Sequence, residues 1–187
     1  MSNVNVSQNM RFAGWCALAS ALVSAFGVVF LVIFFAGFYS DNAGLQVFGP
    51  MNDALIVVQY LLALPVVLAL HRMIGLRSPM LNSAFMLLGL AGIGIVVVFQ
   101  TLLVAGVMSF DEEVWFATAG MFIFGAWTLI MNEQLRRTAG LRNGRLIGIL
   151  TLFYFGFPWW ALVIGRRLLS GEGTPAEPGA VLSGEAV

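Results

Sequence analysis

Five long apolar runs dominate this chain of 187 residues. The runs contain no Asp, Glu, Arg, Lys or His apart from Asp53, near the start of the second run. A helix needs about 20 consecutive apolar residues to cross roughly 30 Å of hydrocarbon. The runs are Phe12–Phe38, Met51–Leu70, Leu81–Met108, Val114–Met131 and Leu146–Ile164. The sequence therefore predicts an all-α integral membrane protein, a bundle of five transmembrane helices.

The composition indicates one membrane domain with little else attached. Of the residues, 60% are hydrophobic and 10% are charged, whereas about a quarter of the residues in soluble domains are charged. We expect a mobile N-terminal arm over residues 1–11 and a five-span membrane domain over 12–169. Residues 170–187 are predicted to form a disordered tail, because their Gly, Pro, Ser and Glu cannot bury enough apolar surface to fold.

Arginines mark one side of the predicted bundle. The chain has nine arginines and no lysine. Seven of them fall in the N-terminal arm and in the second and fourth connections: Arg11, Arg72, Arg77, Arg136, Arg137, Arg142 and Arg145. Because positive residues collect on the cytoplasmic side, we predict a multi-pass protein of the bacterial cytoplasmic (inner) membrane with a cytoplasmic N-terminus and an external C-terminus. Arg166 and Arg167 would then lie outside, against the rule.

Small residues recur at helical spacing in two of the runs. Small side chains let membrane helices approach closely. The candidate packing residues are Ala13, Ala17, Ala21, Ala25, Gly144 and Gly148. The alanines are expected to lie in a helix contact, either within the bundle or with a second chain.

The second and fourth connections resemble each other. Residues His71–Leu81 align on Arg136–Leu146 at a constant offset and share Arg, Gly and Leu positions. A duplicated helical hairpin, as found in some transporters, would explain the match. A common preference of cytoplasmic loops for Arg and Gly explains it without a duplication, and we favour this explanation because the match does not extend into the spans.

Several kinds of chemistry are excluded by residue type. Without lysine there can be no retinal Schiff base or other lysine imine. His71 is the only histidine and Cys16 the only cysteine, so neither a site with several convergent metal ligands nor a disulfide is expected. No nucleophile motif of a hydrolase is present. We therefore expect no catalytic residues, no metal and no cofactor, and we favour a protein that is not an enzyme.

A few polar and aromatic residues remain as candidates for a ligand site. They are Gln59, Gln100, Tyr154, Trp159 and Trp160. The glutamines could join helices by hydrogen bonds or line a pocket. Pro158 is predicted to kink the last span. The aromatic residues around it form either an interfacial belt or the wall of an outward-facing pocket for a quinone, a lipid or a tetrapyrrole.

The second run begins with a pattern typical of a helix start. Gly49 and Pro50 break the chain, and Asn52 or Asp53 follows as the predicted helix cap. With Asp53 assigned to capping, no carboxylate is left within a span to couple transport to protons or sodium, so active transport is disfavoured.

The last run ends in a distinctive pattern, Phe157-Pro158-Trp159-Trp160 followed by Ile164-Gly165-Arg166-Arg167-Leu168. This segment resembles the final span of a group of uncharacterised bacterial multi-span membrane proteins that end in Phe-Pro-x-Trp and Ile-Gly-x-Arg-Leu. The resemblance covers this segment only. It implies a bacterial membrane protein and no activity.

Two hypotheses for the function follow. The first is an accessory or oligomeric membrane subunit that acts through helix packing, with the lipid bilayer and other subunits or a second copy as partners and no nucleic acid. The alternative is a binder or passive carrier of a small apolar ligand.

Overall fold

The computed structural model describes residues 3–40, 42–74, 79–139, 149, 151 and 156–171. Every regular element among these residues is a helix, which confirms the all-α prediction. The helices are α1 (Asn3–Tyr39), α2 (Ala43–Gln46), α3 (Phe48–Ile74), α4 (Pro79–Val104), α5 (Phe110–Ala139) and α6 (Phe157–Ser170).

Four segments are long and apolar enough to cross a membrane, which supports a multi-pass membrane protein. They are Gln8–Tyr39, Ala43–Met73, Met80–Val104 and Phe110–Arg137, and they correspond to the first four predicted spans. The described part of the fifth predicted span consists mainly of residues 157–164, which belong to α6, a helix of 14 residues. At about 1.5 Å per residue, α6 alone is too short to cross roughly 30 Å of hydrocarbon.

The outer surface of α1 is apolar along most of the helix. Phe12, Trp15 and Leu22 are each about 60% exposed, and Phe26 and Val29 continue the same surface. A continuous exposed apolar surface of this kind is rare on soluble monomers. It is the surface expected of a helix that faces lipid.

The opposite face of α1 packs inside the bundle through small residues. Ala13, Ala17 and Ala21 are buried, and the Ser20 hydroxyl donates a hydrogen bond to the Gln59 carbonyl of α3 at 2.9 Å. Ala25 is exposed and departs from the predicted face. Four residues turn a helix through about 400°, so a strict four-residue spacing drifts by about 40° at each step.

Glycines bring α4 and α5 into close contact. A Cβ atom on Gly92 would lie 2.7 Å from the Phe124 backbone nitrogen, and one on Gly89 would lie 2.8 Å from the Trp127 ring. On α5, Gly120 meets the side chains of Ile95 and Val96 in the same way. The two backbones can approach this closely only because these positions have no side chain.

Helix α6 runs antiparallel to α1. Leu169 lies against Gly14, whereas Gly165, one turn earlier in α6, lies against Leu18, one turn later in α1. At its other end, α6 begins with Phe157, whose ring packs on Tyr60 in the middle of α3. The helix thus starts at the middle of the bundle and ends beside the first turns of α1. This direction is opposite to the one predicted for a fifth span.

The last apolar run differs from the other four because a helix, α6, begins inside it at Phe157. Gly156 caps the helix, and Pro158 lies in its first turn, where a missing backbone N–H costs no hydrogen bond. The predicted kink at Pro158 is therefore wrong, because the proline begins a helix. The packing glycines Gly144 and Gly148, and half of the residues of the proposed loop repeat, lie outside the described residues.

Candidate functional site

A pocket of about 170 Å³ lies at one end of the bundle. This end, where α3 and α5 begin and α4 ends, is called the acidic end, and the pocket is called the acidic pocket. Its polar lining consists of Asn52, Asp53, Gln100, Glu113 and Thr118. The remaining walls are apolar and include Leu31 of α1, Ile56 of α3 and Met121 of α5.

The antiparallel order of the helices brings the polar residues together. Asp53 lies in the second turn of α3, Gln100 near the end of α4, and Glu113 in the first turn of α5. Because neighbouring helices run in opposite directions, the beginnings of α3 and α5 meet the end of α4. Carboxylates are also favoured electrostatically near helix N-termini.

Asp53 has two amide neighbours. The Asn52 Nδ2 atom donates to Asp53 Oδ1 across 3.5 Å, which is a long contact. The Gln100 side chain lies within hydrogen-bonding reach of the same carboxyl. Both amides are buried, with 4% and 3% of their surface exposed. The Asp53 carboxyl itself is partly exposed.

Glu113 is the least satisfied group of the pocket. Only 3% of its surface is exposed, and its Oε1 atom has no hydrogen-bond partner among the described residues. The charge of Asp53 acts on it from the facing helix. No arginine or histidine of the described chain lines the pocket. A buried carboxylate oxygen without a hydrogen-bond partner is energetically costly.

Capping is done by other residues than those predicted. Helix α3 begins at Phe48, so Asn52 and Asp53 lie inside it and the prediction that either caps it is wrong. Asn42 caps α2 instead, accepting a hydrogen bond from the Gly44 amide at 3.1 Å. At the start of α5, the Glu112 carboxylate accepts hydrogen bonds from the Ser109 amide and hydroxyl, as in a capping box.

The inward position of Glu113 could have been found from the sequence. Buried residues follow it along α5 at a helical period: Ala117, Gly120, Phe124, Trp127 and Met131. A period close to 3.6 residues marks one face of a helix. Glu113 lies on that face, whereas the neighbouring Asp111 and Glu112 are exposed. The sequence analysis treated the three acidic residues as one turn and missed this difference.

The two predicted glutamines lie in different places. Gln100 lines the acidic pocket. Gln59 is buried in α3, where its backbone carbonyl accepts the Ser20 hydrogen bond. Its side-chain amide has no partner among the described residues. Six residues separate Gln59 from Asp53, which places it about 9 Å deeper in the bundle.

The two predicted aromatic residues that the structure describes, Trp159 and Trp160, do not line the pocket. Trp160 is buried among Phe124, Trp127 and Phe157, with ring centroids 5.5–6.3 Å away, and it belongs to the core. Trp159, the next residue, is 57% exposed. Tyr154 lies outside the described residues. The predicted combination of two glutamines and three aromatic residues is therefore not assembled by the described part of the chain.

The opposite end of the bundle is called the arginine end. There, an apolar groove of about 280 Å³ runs between the start of α1 and the end of α3, beside Pro65, Leu68 and Arg72. His71 lies nearby on α3. In the described ranges, no group of three or more His, Cys, Asp or Glu side chains is placed to hold a metal ion.

Comparison with known proteins adds no assignment: the chain matches no family model, no curated protein and no solved structure.

Proposed function

We propose that this chain is a membrane protein that binds, or passively carries, a small ligand in the acidic pocket. The observation that carries the proposal is Glu113, which is buried against the pocket with Oε1 unpartnered among the described residues. A carboxylate with a purely structural role would be expected to have its hydrogen-bonding partners within the fold. A ligand with a donor group would supply the missing partner.

The shape and lining of the pocket also support ligand binding. Small-molecule sites are concave and mostly apolar, with a few convergent polar groups that fix orientation. The acidic pocket has this character, since five polar side chains from three helices line a largely apolar hollow. A ligand that complements it needs polar groups, so the purely apolar ligand of the sequence analysis is replaced by a polar or charged one.

A pocket-filling substitution tests the proposal. Ala117 lines the pocket and is 4% exposed, whereas Ala119 on the same helix is exposed. We expect some members of a panel of small cationic, anionic and neutral compounds to raise the melting temperature of the purified protein, because a ligand that binds only the folded state stabilises it. Ala117→Leu should abolish this stabilisation, and Ala119→Leu should keep it.

Two outcomes of this experiment would contradict ligand binding at the pocket. One is that no compound stabilises the unmodified protein. The other is that Ala117→Leu, although folded, responds to the same compounds to the same extent.

The packing-subunit hypothesis is the second proposal. The small residues that motivated it, such as Ala13 and Ala17, are buried within this chain and are not open to a partner. The hypothesis now rests on the exposed apolar surface of α1, around Trp15 and Phe26. Lipid would cover that surface equally well.

We also propose that the chain crosses the membrane four times and that both termini are cytoplasmic. Three observations support this topology. Helix α5 ends in Arg136 and Arg137 at the arginine end, the Thr151 hydroxyl hydrogen-bonds with that of Thr128 on α5, and α6 ends beside Gly14. The last segment would then approach the bundle from the arginine end and return to it.

This topology removes the exception to the positive-inside rule. Arg166 and Arg167 join the other seven arginines on one side, as expected for the cytoplasmic side of a bacterial inner membrane. The acidic pocket then opens toward the opposite, external side.

A further inference from the structure

We infer that the ligand of the acidic pocket is a small organic cation, held between the carboxylates of Asp53 and Glu113. The inference rests on the proposed function and names the ligand class. It starts from charge, because two carboxyl groups line one pocket and no cation of the described chain lines it with them. Buried charges in proteins are normally paired or bound to a metal.

The two carboxyl groups make different demands on the ligand. Asp53 already has the amides of Asn52 and Gln100 beside it. Glu113 Oε1 has no donor among the described residues, and the negative charge of Asp53 acts unfavourably on it. A positive group with N–H or polarised C–H bonds would relieve the repulsion and fill the vacant acceptor position. Neither an anion nor an uncharged apolar molecule would do both.

A metal ion fits the site less well than an organic cation. Calcium takes about six to eight oxygen ligands and magnesium requires near-ideal octahedral geometry. The described residues contain no cluster of three or more acidic, histidine or cysteine ligands. Most of the wall is apolar, with Leu31, Ile56 and Met121 facing the hollow. Alkyl groups on an ammonium nitrogen would pack against these side chains.

An aromatic ring at the pocket favours the same ligand class. Phe110 lines the pocket and is 62% exposed. Aromatic faces attract quaternary ammonium groups through the cation–π interaction. A small alkylammonium ion would thus find negative charge, apolar contacts and an aromatic ring together.

Glu112 caps helix α5, whereas the neighbouring Glu113 lines the pocket. Glu112, next to Glu113 in sequence, is exposed and binds Ser109 at 2.8–3.1 Å. It therefore accounts for the helix start without help from Glu113. Glutamine also serves at this position of a capping box, so Glu112→Gln removes a neighbouring charge while it keeps the cap.

The test compares choline with its uncharged isostere 3,3-dimethylbutan-1-ol on the purified full-length protein by titration calorimetry. We expect choline to bind at least about tenfold more tightly than the alcohol, because only choline pairs with the carboxylates. Glu113→Gln and Asp53→Asn should each weaken choline binding by about tenfold or more. Glu112→Gln should leave it within about twofold.

A second measurement needs no variant and so does not depend on whether the variants fold. A hydrophobic carbodiimide should modify Glu113, as detected by mass spectrometry of the digested protein. Bound choline should protect Glu113 from modification, and the alcohol should not. Modification at the same rate with and without saturating choline would overturn the inference.

The other outcomes separate this inference from the proposed function. Equal binding of choline and the alcohol, unaffected by Glu113→Gln, would keep a ligand pocket and reject a cation. Binding of calcium or sodium but not choline, lost in both carboxylate variants, would replace the organic cation with a metal ion. Failure of every compound in the panel to bind would reject the proposed function and this inference together.

Discussion

At the arginine end of the bundle, the Glu133 carboxylate accepts hydrogen bonds from Arg136 and Arg137 at 2.8 Å, whereas at the acidic end Glu113 lies buried with no cation among the described residues. The arginine side chains are 41% and 62% exposed. Exposed ion pairs of this kind contribute little to stability. The charges at the arginine end are therefore exposed and paired with one another, whereas the buried Glu113 has an oxygen, Oε1, without a partner among the described residues.

The difference also follows from the position of each group on its helix. Arg136 and Arg137 lie in the last turn of α5, where cations complement the helix dipole, and their long side chains can reach water. Glu113 is short and lies on the inward face of α5. Its side chain lines the acidic pocket, so the proposed partner of Glu113 would have to come from that pocket.

The prediction with the largest expected effect is that Arg166 and Arg167 lie on the cytoplasmic side of the membrane. Reporters active only in the cytoplasm should give signal when fused after residue 75, 140 or 187. A five-span protein would give signal at 75 and 140 and none at 187. That result would place Arg166 and Arg167 at the external side and remove the contrast in charge between the two ends.

A cysteine experiment checks the same point without a fused domain. Cys16 is the only cysteine, so Cys16→Ser provides a cysteine-free background. In intact cells, a membrane-impermeant thiol reagent should then label Val107→Cys from outside. It should label Gly171→Cys only after the membrane is permeabilised. Labelling of both from outside would contradict four crossings.

A smaller effect is expected where α4 and α5 meet, because their contact holds the pocket together. Gly92→Ala would place a Cβ 2.7 Å from the Phe124 backbone, whereas Gly94→Ala meets nothing within 4 Å. Overpacking of this kind costs about 1–3 kcal/mol, so Gly92→Ala should lower the melting temperature and weaken ligand binding. Gly94→Ala should be neutral or slightly stabilising. Equal behaviour of the two variants would show that this contact is not tight.

The contrast between the buried and the exposed carboxylate predicts that their neutralisation changes stability to different extents. Glu113→Gln removes an unpaired buried charge and should raise the free energy of unfolding of the ligand-free protein by about 1 kcal/mol or more. Chemical or thermal unfolding in detergent would measure it. A decrease in stability would mean that Glu113 is paired in the folded protein.

The smallest effect is expected for Glu133→Gln at the arginine end. The substitution breaks ion pairs with two exposed arginines, so the melting temperature should hardly change, and any decrease should vanish at high salt because screening already weakens such pairs. A large, salt-independent decrease would make the two ends energetically alike.

Local pattern was sufficient to predict the four long apolar helices, and it would also have been sufficient to find the buried face of α5. An apolar run of membrane length must form a helix in hydrocarbon, because every backbone N–H and C=O needs a partner within the segment. The buried series from Glu113 to Met131 follows a helical period. Both properties depend only on residues close in sequence, so they can be read without the fold.

Other features of the candidate site depended on residues far apart in sequence. Asp53 and Gln100 meet because α3 and α4 pack antiparallel in one register. A shift of one residue in that register would rotate the facing side chains by about 100°. Hydropathy carries no information on register, and so the pairing could not be predicted.

The sequence by itself determined that this chain is helical and apolar enough for a membrane, because hydrocarbon imposes that requirement on each segment separately. Only the tertiary structure decided the direction of α6. This helix packs antiparallel to α1, with Gly14 and Gly165 in close contact. The tertiary structure also decided that Glu113 shares a pocket with Asp53, because two carboxylates on different helices become neighbours only when the helices pack.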